Sequence, residues 1–342
     1  MKVTNRASAT ARICGFALAV LLATPLAVQA ADDKTYVMKI GLATLGDALH
    51  QYANDFAAAV EKDSGGRIKV EVYPASRLGP IQQQAESVQF GAIQCQIVPP
   101  EFLAGIDERF EVLTTPALVT SMQAGQRLAA DPAVQKLMLG LGADKGLHGA
   151  GLFMIAQSAV IARKPIRHLA DFKGKKIRIL ASQFQRVAMQ RLGATPKPMT
   201  LSEVLPALQD NGVDGAVASV AVFASMNFRQ AAQYVTETGQ PAIFGIVEVS
   251  RRWFESLPAE LREVIDKAAS RVATAAGPAI IESNEQARRA WRDAGGELIS
   301  LPADEQDSLL KIVAGVGDEV ANAKPPLAAA YKIVTDAAQR VH

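Results

Sequence analysis

The sequence predicts an α/β protein with two domains, and two observations support this prediction. Strand-like and helix-like segments alternate from residue 35 to residue 98, and a second alternating series starts after Gly151. Alternation of this kind implies parallel strands joined by right-handed crossover connections. In addition, about 310 residues remain when the first 30 are set aside, which is more than one hydrophobic core usually fills.

The first series opens with a strand at residues 35–42, where apolar side chains occupy every second position. Asp47 is placed to cap the helix that follows, which has one apolar face and ends at residues 65–66, a Gly-Gly pair. The remaining predicted elements of this series are a strand at 68–73, a helix at 82–90 that stops at Gly91, and a strand that ends at Val98.

The second series contains two helices whose first turns are marked by capping boxes. Ser182 and Gln185 form such a box for the first helix, and Thr200 and Glu203 form one for the second. Pro206 lies in the second turn of the second helix and removes an amide donor there, so a kink is expected. The predicted elements are an extended run at 152–162, a strand at 176–180, a helix that ends at Gly193, a helix that reaches Gln209, and a strand at 213–222.

The C-terminal third of the chain is predicted to be helical. Pro258 opens a long segment with one apolar face, residues 277–278 (Gly-Pro) interrupt it, and residues 295–296 (Gly-Gly) close it. This break predicts two helices, or one kinked helix, that bridge both halves of the protein. A last amphipathic helix is expected after residues 324–326.

The N-terminal 30 residues have the order of features found in a secretory signal peptide. Basic residues (Lys2, Arg6 and Arg12) precede an apolar run at 13–22, and the small residues around Ala30 offer a cleavage site. The apolar run is shorter than the roughly 20 residues that a membrane-spanning helix needs. We therefore expect cleavage after Ala30 and export of the mature chain.

Charge and metal-ligand content exclude several classes of function. The chain has 36 Lys and Arg against 34 Asp and Glu, and the leader holds three of the basic residues and none of the acidic ones, which leaves 33 against 34. No basic cluster persists along one element, so neither a nucleic-acid nor a membrane-surface partner is predicted. After cleavage Cys95 is the only cysteine in the sequence, which excludes an internal disulfide, and we interpret it as a buried structural residue. The four histidines lack zinc-like spacing, so we predict no metal site and no cofactor.

Arg178 is the strongest candidate for a functional residue. It lies near the carboxyl end of the predicted strand at 176–180, and a capped helix begins a few residues later. Ligands of open α/β sheets bind outside the carboxyl ends of the strands, and helix N-termini favour anions. A guanidinium at such a crevice can hold a carboxylate through two parallel hydrogen bonds. The alternative is an ordinary surface arginine beside Lys175 and Lys176.

A series of short motifs resembles the DctP family, the solute-binding proteins of TRAP transporters. The motifs keep the family's order and spacing and cover nearly the whole chain from Tyr36 onward. Each is weak alone, but their number and order make the resemblance specific. They lie at residues 65–74, 88–93, 169–179, 192–199, 201–204, 212–215 and 253–261.

The resemblance implies a periplasmic-binding-protein-like (type II) fold. In this fold two α/β domains enclose a cleft, two long strands join them, and a long helix runs across both. The implied division is a signal peptide at 1–30, domain I at 31–155 plus 244–283, and domain II at 156–243 plus 284–342. The family further implies a periplasmic monomer that traps a small organic acid on closure and delivers it to membrane permease subunits. The family's carboxylate-binding arginine falls on Arg178.

The sequence departs from the family pattern at the expected ligand site. The family often has a second arginine twenty residues before the first, and this chain has Ser158 at that position. It has Ala218 where the family often has an asparagine after the Val-Asp-Gly motif, and Leu201 where the family often has an aromatic residue before Ser-Glu-Val. Residues 99–100 (Pro-Pro) lie where the first domain's binding loop is expected and make it stiffer. Dicarboxylates and sugar acids need several buried donors. These departures therefore favour a monocarboxylate with an apolar or aromatic body over a polyhydroxy acid.

Seven further residues are candidate ligand contacts because each is expected on a loop or strand end that faces the cleft. Phe102 and Phe223 could equally belong to the core, and His50 could be a surface helix residue. Glu101 would repel a carboxylate, so it would pair with a ligand amine or hydroxyl, or with another protein group. The seven candidates are Thr44, His50, Glu101, Phe102, Gln183, Thr200 and Phe223.

A secreted hydrolase and a sensory binding protein are the alternatives to a transport binding protein. A secreted hydrolase would need a nucleophile motif, and the sequence has no Gly-x-Ser-x-Gly, no His-Glu-x-x-His and no Ser-x-x-Lys set with its partner motifs, so we predict that the protein is not an enzyme. A binding protein that presents its ligand to a receptor kinase would have the same cleft. The sequence does not distinguish that sensory role from transport.

Overall fold

The computed structural model describes residues 34–341, so the predicted signal peptide and its cleavage site lie outside the described residues. From Thr35 onward the chain forms one compact unit that is built on two β-sheets. The strands are β1 (Tyr36–Gly41), β2 (Ile68–Tyr73), β3 (Cys95–Val98), β4 (Leu147–Gln157), β5 (Ala159–Ala162), β6 (Lys176–Ile179), β7 (Thr195–Pro198), β8 (Gly215–Ala218), β9 (Tyr234–Glu237), β10 (Ala242–Ser250) and β11 (Glu297–Ser300).

Thirteen α-helices connect and cover these strands in the described part of the chain. They are α1 (Ala48–Asp63), α2 (Ile81–Phe90), α3 (Met122–Ala130), α4 (Pro132–Gly140), α5 (Gln183–Arg191), α6 (Leu201–Gln209), α7 (Val220–Ser225), α8 (Arg251–Glu255), α9 (Ala259–Ala275), α10 (Gly277–Asp293), α11 (Ala303–Val313), α12 (Val316–Asn322) and α13 (Pro325–Val341). Two short 3₁₀ segments, Pro100–Leu103 and Glu108–Thr114, follow β3 and bear on the site described below.

Each sheet combines parallel strands with antiparallel ones. The first sheet has the order β2-β1-β3-β10-β4, in which β2, β1 and β3 are parallel and β10 runs against both of its neighbours. The second sheet has the order β11-β9-β5-β8-β6-β7, in which β8, β6 and β7 are parallel and β5 is antiparallel to β8 and β9. The predicted α/β class with two sheet-based halves is thus confirmed.

Two short connections carry the chain between the sheets, and a third, longer one leads from β10 to β11 through helices α8, α9 and α10. Strand β4 passes into β5 through Ser158, and β9 returns to β10 through residues 238–241. The two crossings are bonded to each other: Ser158 N donates to Pro241 O at 3.2 Å, and Gly239 N donates to Ser158 O at 3.1 Å. A continuous cluster of buried apolar side chains also joins the two sheets.

The helix predicted to bridge the halves is present as two consecutive helices that meet at Ala276. Helix α9 packs on α1 and β4 of the first sheet, and α10 packs on α7 and on β11 of the second sheet. Helix α13 packs on α3 and α4, which precede residue 155 in the sequence, although it falls within the segment 284–342 assigned to domain II. The exact domain boundaries stay a prediction.

Local signals placed most helix ends correctly. Asp47 caps α1, since its Oδ1 accepts a hydrogen bond from His50 N at 3.0 Å. Gly91 ends α2 with φ of 84°, a left-handed conformation that glycine adopts without steric cost. The capping box of Thr200 and Glu203 is present at the start of α6. That helix continues through Pro206.

Two expectations from the sequence need correction. Residues 213–222 are not one strand: β8 ends at Ala218, and Ser219 caps α7 by accepting a hydrogen bond from Val222 N at 3.2 Å. The strand and the first four residues of the helix are buried, so most of the segment is apolar and shows no change of period. At α5, Ser182 caps as expected, but Gln185 Oε1 accepts from Leu180 N at 3.0 Å and does not complete a capping box.

Candidate functional site

A small cavity, with a volume of about 60 Å³, lies between the two sheets. Its walls follow the carboxyl ends of parallel strands from both sheets, the position where open α/β sheets bind ligands. Residues after β1 and β3 form one side, and residues at the ends of β6 and β8 form the other. Most of the lining is aliphatic, and its polar members are Thr44, Asp47, Arg178 and Ser219.

Arg178 is the cationic residue in the lining of this cavity. It projects from β6 and is only 1% exposed. Its Nε donates to Met199 O at 3.1 Å and its Nη1 donates to Val217 O at 2.9 Å. Among residues 34–341 no acceptor is bonded to Nη2. The two carbonyls therefore hold the guanidinium in one orientation and leave one nitrogen for another acceptor.

Burial is the main influence on the charge of Arg178. It lowers the pKa of the guanidinium to about 10, while the negative charges of Glu101 and Glu203 act in the opposite direction. The side chain therefore stays charged at neutral pH in a setting that disfavours charge. A bound anion would relieve that cost.

Thr44 and Asp47 form the polar part of the opposite wall. Thr44 Oγ1 donates to Asp47 Oδ1 at 2.8 Å, and the same oxygen accepts from His50 N. Burial raises the pKa of Asp47, and the hydrogen bonds from His50 N and Thr44 oppose that rise. The sequence indicated Asp47 as a helix cap and missed its place in the cavity wall.

The structure brings together five of the residues that the sequence proposed for the site. They come from loops and strand ends that are far apart in the chain, and they meet because the two sheets face each other. They are Arg178, Thr44, Phe102, Leu201 and Ala218.

The other proposed residues lie outside the lining, each for a local reason. Ser158 belongs to the crossing between the sheets, where its Oγ is buried without a hydrogen-bond partner among the described residues. His50 lies in the first turn of α1, and its Nδ1 accepts from Gly46 N at 3.1 Å. Phe223 is fully buried against Phe228, with ring centroids 5.6 Å apart.

Gln183 and Thr200 occupy helix starts. Gln183 N donates to Glu111 Oε2 at 2.6 Å, beside a separate cavity between α5 and α12. Thr200 is partly exposed, and its Oγ1 donates to Glu203 Oε2 at 2.6 Å within the capping box. Glu101 is 2% exposed and lies outside the lining, between Pro99 and Phe102 in the chain, which both reach the cavity.

Sequence reasoning missed several lining residues besides Asp47. Ile155 and Ile243 lie near the ends of β4 and β10, next to the crossings between the sheets. Ser219 and Val222 belong to the start of α7, a segment for which the sequence predicts a strand. A Ser followed three residues later by a buried valine is too common a pattern to have identified that helix start.

Two other features concern the described residues as a whole. None of the helices within residues 34–341 is both long and apolar enough to cross a lipid bilayer. In the same range no three or more His, Cys, Asp or Glu side chains are grouped so that they could hold a metal ion. Cys95 is a free, buried thiol, and burial raises its pKa.

Two α/β halves, two crossings and a buried cationic cavity between them define a two-domain solute-binding protein. Residues 42–323 match the family described as bacterial extracellular solute-binding protein, family 7 (DctP). The chain belongs to this family, as the resemblance of its motifs implied.

Individual relatives agree with this assignment. The chain is 30% identical over 274 residues to the C4-dicarboxylate-binding periplasmic protein DctP of Rhodobacter capsulatus. The matched region covers 79% of this chain and 81% of that protein. Among solved structures it resembles a TRAP periplasmic solute-binding protein of Desulfovibrio salexigens with bound orotic acid, with a TM-score of 0.84 and 21% identity over 90% of this chain and 100% of that one. It also resembles a sugar acid binding protein of Advenella mimigardefordensis in complex with galactonate, with a TM-score of 0.85 and 23% identity over 90% and 99% of the two chains.

Proposed function

We propose that this protein is a periplasmic component of a TRAP transporter that captures a small organic acid and delivers it to the membrane permease subunits. The carboxylate of the acid binds Arg178, and closure of the two halves about the crossings at Ser158 and residues 238–241 encloses it. The relatives named above bind a C4-dicarboxylate, orotic acid and galactonate, which are all organic acids. That shared chemistry supports an organic acid as the ligand class here.

The observation that carries this proposal is the guanidinium of Arg178. It is buried at the wall of an otherwise apolar cavity, oriented by two backbone carbonyls, with Nη2 not bonded to any acceptor in residues 34–341. An ordinary surface arginine is exposed to solvent and is not oriented by two buried backbone carbonyls. A carboxylate would satisfy the remaining donor and neutralise the buried charge.

The composition of the cavity wall supports a monocarboxylate with an apolar or aromatic body. Phe102, Leu180, Leu201 and Val222 surround Arg178 in the lining, and the position where the family often has an asparagine is Ala218. A second carboxylate or several hydroxyls would be buried against these side chains without donors, which is costly.

A thermal-shift screen of organic acids tests the ligand class, because a ligand bound only by the folded protein raises its melting temperature. We expect phenylacetate and isovalerate to raise the melting temperature more than succinate or galactonate at equal concentration. Strong stabilisation by succinate or galactonate, and none by the apolar acids, would reject the proposed ligand class.

Arg178→Ala tests the binding mode in isothermal titrations with the best acid of the screen. Loss of the guanidinium leaves the ligand charge buried and unpaired, so we expect a loss of about 2–5 kcal/mol, or at least about thirtyfold in Kd. Arg163→Ala is the matched control, because Arg163 lies outside the cavity and pairs with Asp214 at 2.9 Å. A loss of less than threefold on Arg178→Ala would show that the assignment is wrong.

A further inference from the structure

A buried carboxyl group belongs to a segment that contributes to the wall of the proposed carboxylate site. Glu101 belongs to the 3₁₀ segment Pro100–Leu103, and its neighbours Pro99 and Phe102 line the same cavity as Arg178. Its side chain is 2% exposed, and its Oε1 has no hydrogen-bond partner within residues 34–341. A buried carboxylate oxygen without a donor favours the protonated form of the group.

The charged groups around Glu101 are few. Arg178 on β6 attracts its negative charge, and Glu111 in the segment Glu108–Thr114 repels it. Of the other elements packed on the segment of Glu101, α2 carries Glu86, which is exposed, and β10 carries Glu248, whose pKa responds to burial alone. Arg178 is therefore the cation that acts on Glu101.

The same pair seen from Arg178 gives a consistent result. Glu101 is the first of the two acidic groups that raise the pKa of Arg178, and Asp47, although it lines the cavity, is not one of them. Burial raises the pKa of Glu101 to about 7, while the hydrogen bond from its own backbone N–H and, to a smaller extent, the Arg178 guanidinium oppose that rise. Near neutrality the free protein thus holds a mixture of protonated and ionised Glu101.

An incoming carboxylate changes this balance. The ligand carboxylate places a second negative charge beside the Arg178 guanidinium, which in the free protein partly compensates the charge of Glu101. Two carboxylates that share one site cannot both ionise readily, so the affinity of one of them for a proton rises. The ligand is ionised before it binds and takes the open donor of Arg178, so the proton goes to Glu101.

We propose that Glu101 takes up one proton when a carboxylate ligand binds Arg178, so that ligand affinity falls as the pH rises above neutrality. This inference rests on the proposed function. By linkage, the ligand increases the proton affinity of Glu101 by the same factor by which protonation increases ligand affinity. Below about pH 7 Glu101 already holds its proton, so affinity is nearly independent of pH there.

Isothermal titration with phenylacetate and isovalerate at pH 6, 7, 8 and 9 tests the proposal. Both acids are ionised over this range, so the acid itself contributes no pH dependence. For wild type we expect Kd to rise several-fold between pH 7 and pH 9 and to change by no more than about twofold between pH 6 and pH 7. Heats measured at pH 8.5 in phosphate and in Tris should show the uptake of close to one proton per bound acid.

Glu101→Gln removes the proton exchange while it preserves the size of the side chain. In this variant we expect a Kd that is flat from pH 6 to pH 9, close to the wild-type value at pH 6, and no proton uptake. Glu86→Gln is the matched control, since it makes the same change at an exposed position on α2 and should keep the wild-type slope. The buffer comparison needs only the wild-type protein, so it decides the question even if Glu101→Gln folds poorly.

The outcomes separate this inference from the proposed function. Binding with a flat pH profile in wild type, or a slope that persists in Glu101→Gln, overturns the role of Glu101 and leaves carboxylate binding intact. Absence of binding of both acids at pH 6, in wild type and in Glu101→Gln alike, overturns the proposed ligand class and this inference together.

Discussion

Replacing Arg178 by methionine should abolish ligand binding at almost no cost to the stability of the ligand-free protein. The reason is that the charge of Arg178 destabilises the fold. Burial lowers the pKa of the guanidinium from 12.5 to about 10. At about 1.4 kcal/mol for each pKa unit, that fall corresponds to roughly 3 kcal/mol. Methionine has a similar length, fills most of the same space and carries no charge.

The loss of two hydrogen bonds opposes this gain. Met199 O and Val217 O would lose the donors at 3.1 and 2.9 Å, and each buried carbonyl without a donor costs roughly 1–2 kcal/mol. The two effects nearly cancel. We therefore expect the free energy of unfolding of Arg178→Met to lie within about 1.5 kcal/mol of the wild-type value.

Urea unfolding of the ligand-free proteins at pH 7 measures this difference, and the same experiment with added phenylacetate measures ligand stabilisation. Wild type should be stabilised by phenylacetate and Arg178→Met should not. Arg163→Met, outside the cavity, should keep the stabilisation. A loss above about 3 kcal/mol in ligand-free Arg178→Met would refute the reasoning, because a loss of that size is typical when a structural buried ion pair is broken.

The remaining predictions concern stability. Burial raises the pKa of Glu248 well above its usual range. The folded state therefore keeps a proton that the unfolded chain releases above about pH 4.3. As a result, the free energy of unfolding falls as the pH rises beyond that value. Glu248→Gln removes this fall, so its melting temperature should exceed that of wild type by more at pH 8 than at pH 5; an equal difference at both would contradict the assignment. In Gly149→Ala the new Cβ would lie 2.6 Å from Leu139 Cα and 2.7 Å from its carbonyl oxygen, so urea unfolding should show a loss above about 2 kcal/mol. Gly140→Ala meets nothing within 4 Å and should be neutral or slightly stabilising, and equal losses at the two glycines would count against the steric argument.

The sequence predicted those elements whose signals are local. Strand β2 and helix α2 lie within one residue of their expected bounds, because alternation, amphipathic period and the glycine at Gly91 are read within a few residues. The start of α7 was missed because β8 and the first four residues of α7 are buried and Ser219 alone separates the two elements. A helix of six residues, of which the first four are buried and apolar, is too short to reveal its period.

For the same reason, only some of the residues proposed for the site from the sequence lie in the cavity lining. Arg178 could be identified because its strand, the helix that follows and the family motif around it are contiguous in the chain. Neither the local sequence pattern nor the family motifs identified Asp47 and Ser219 as cavity residues. Both are helix caps, and a helix cap becomes part of a cavity wall only when another element packs opposite it. Ser158, expected beside the ligand, lies in the crossing between the sheets, and its contact with a ligand stays a prediction.

By itself the sequence determined the α/β class, the two halves and the bridging helical segment, and it singled out Arg178 as the candidate cationic residue, because each of these depends on periodicity, capping or a contiguous motif. Only the tertiary structure decided which side chains enclose the cavity and that Glu101 is buried with an oxygen that has no donor within residues 34–341. The physical reason is the separation along the chain over which each effect acts. Periodicity and capping act over a few residues, whereas burial, desolvation and the pairing of charges depend on residues that only the packing of the two sheets brings together.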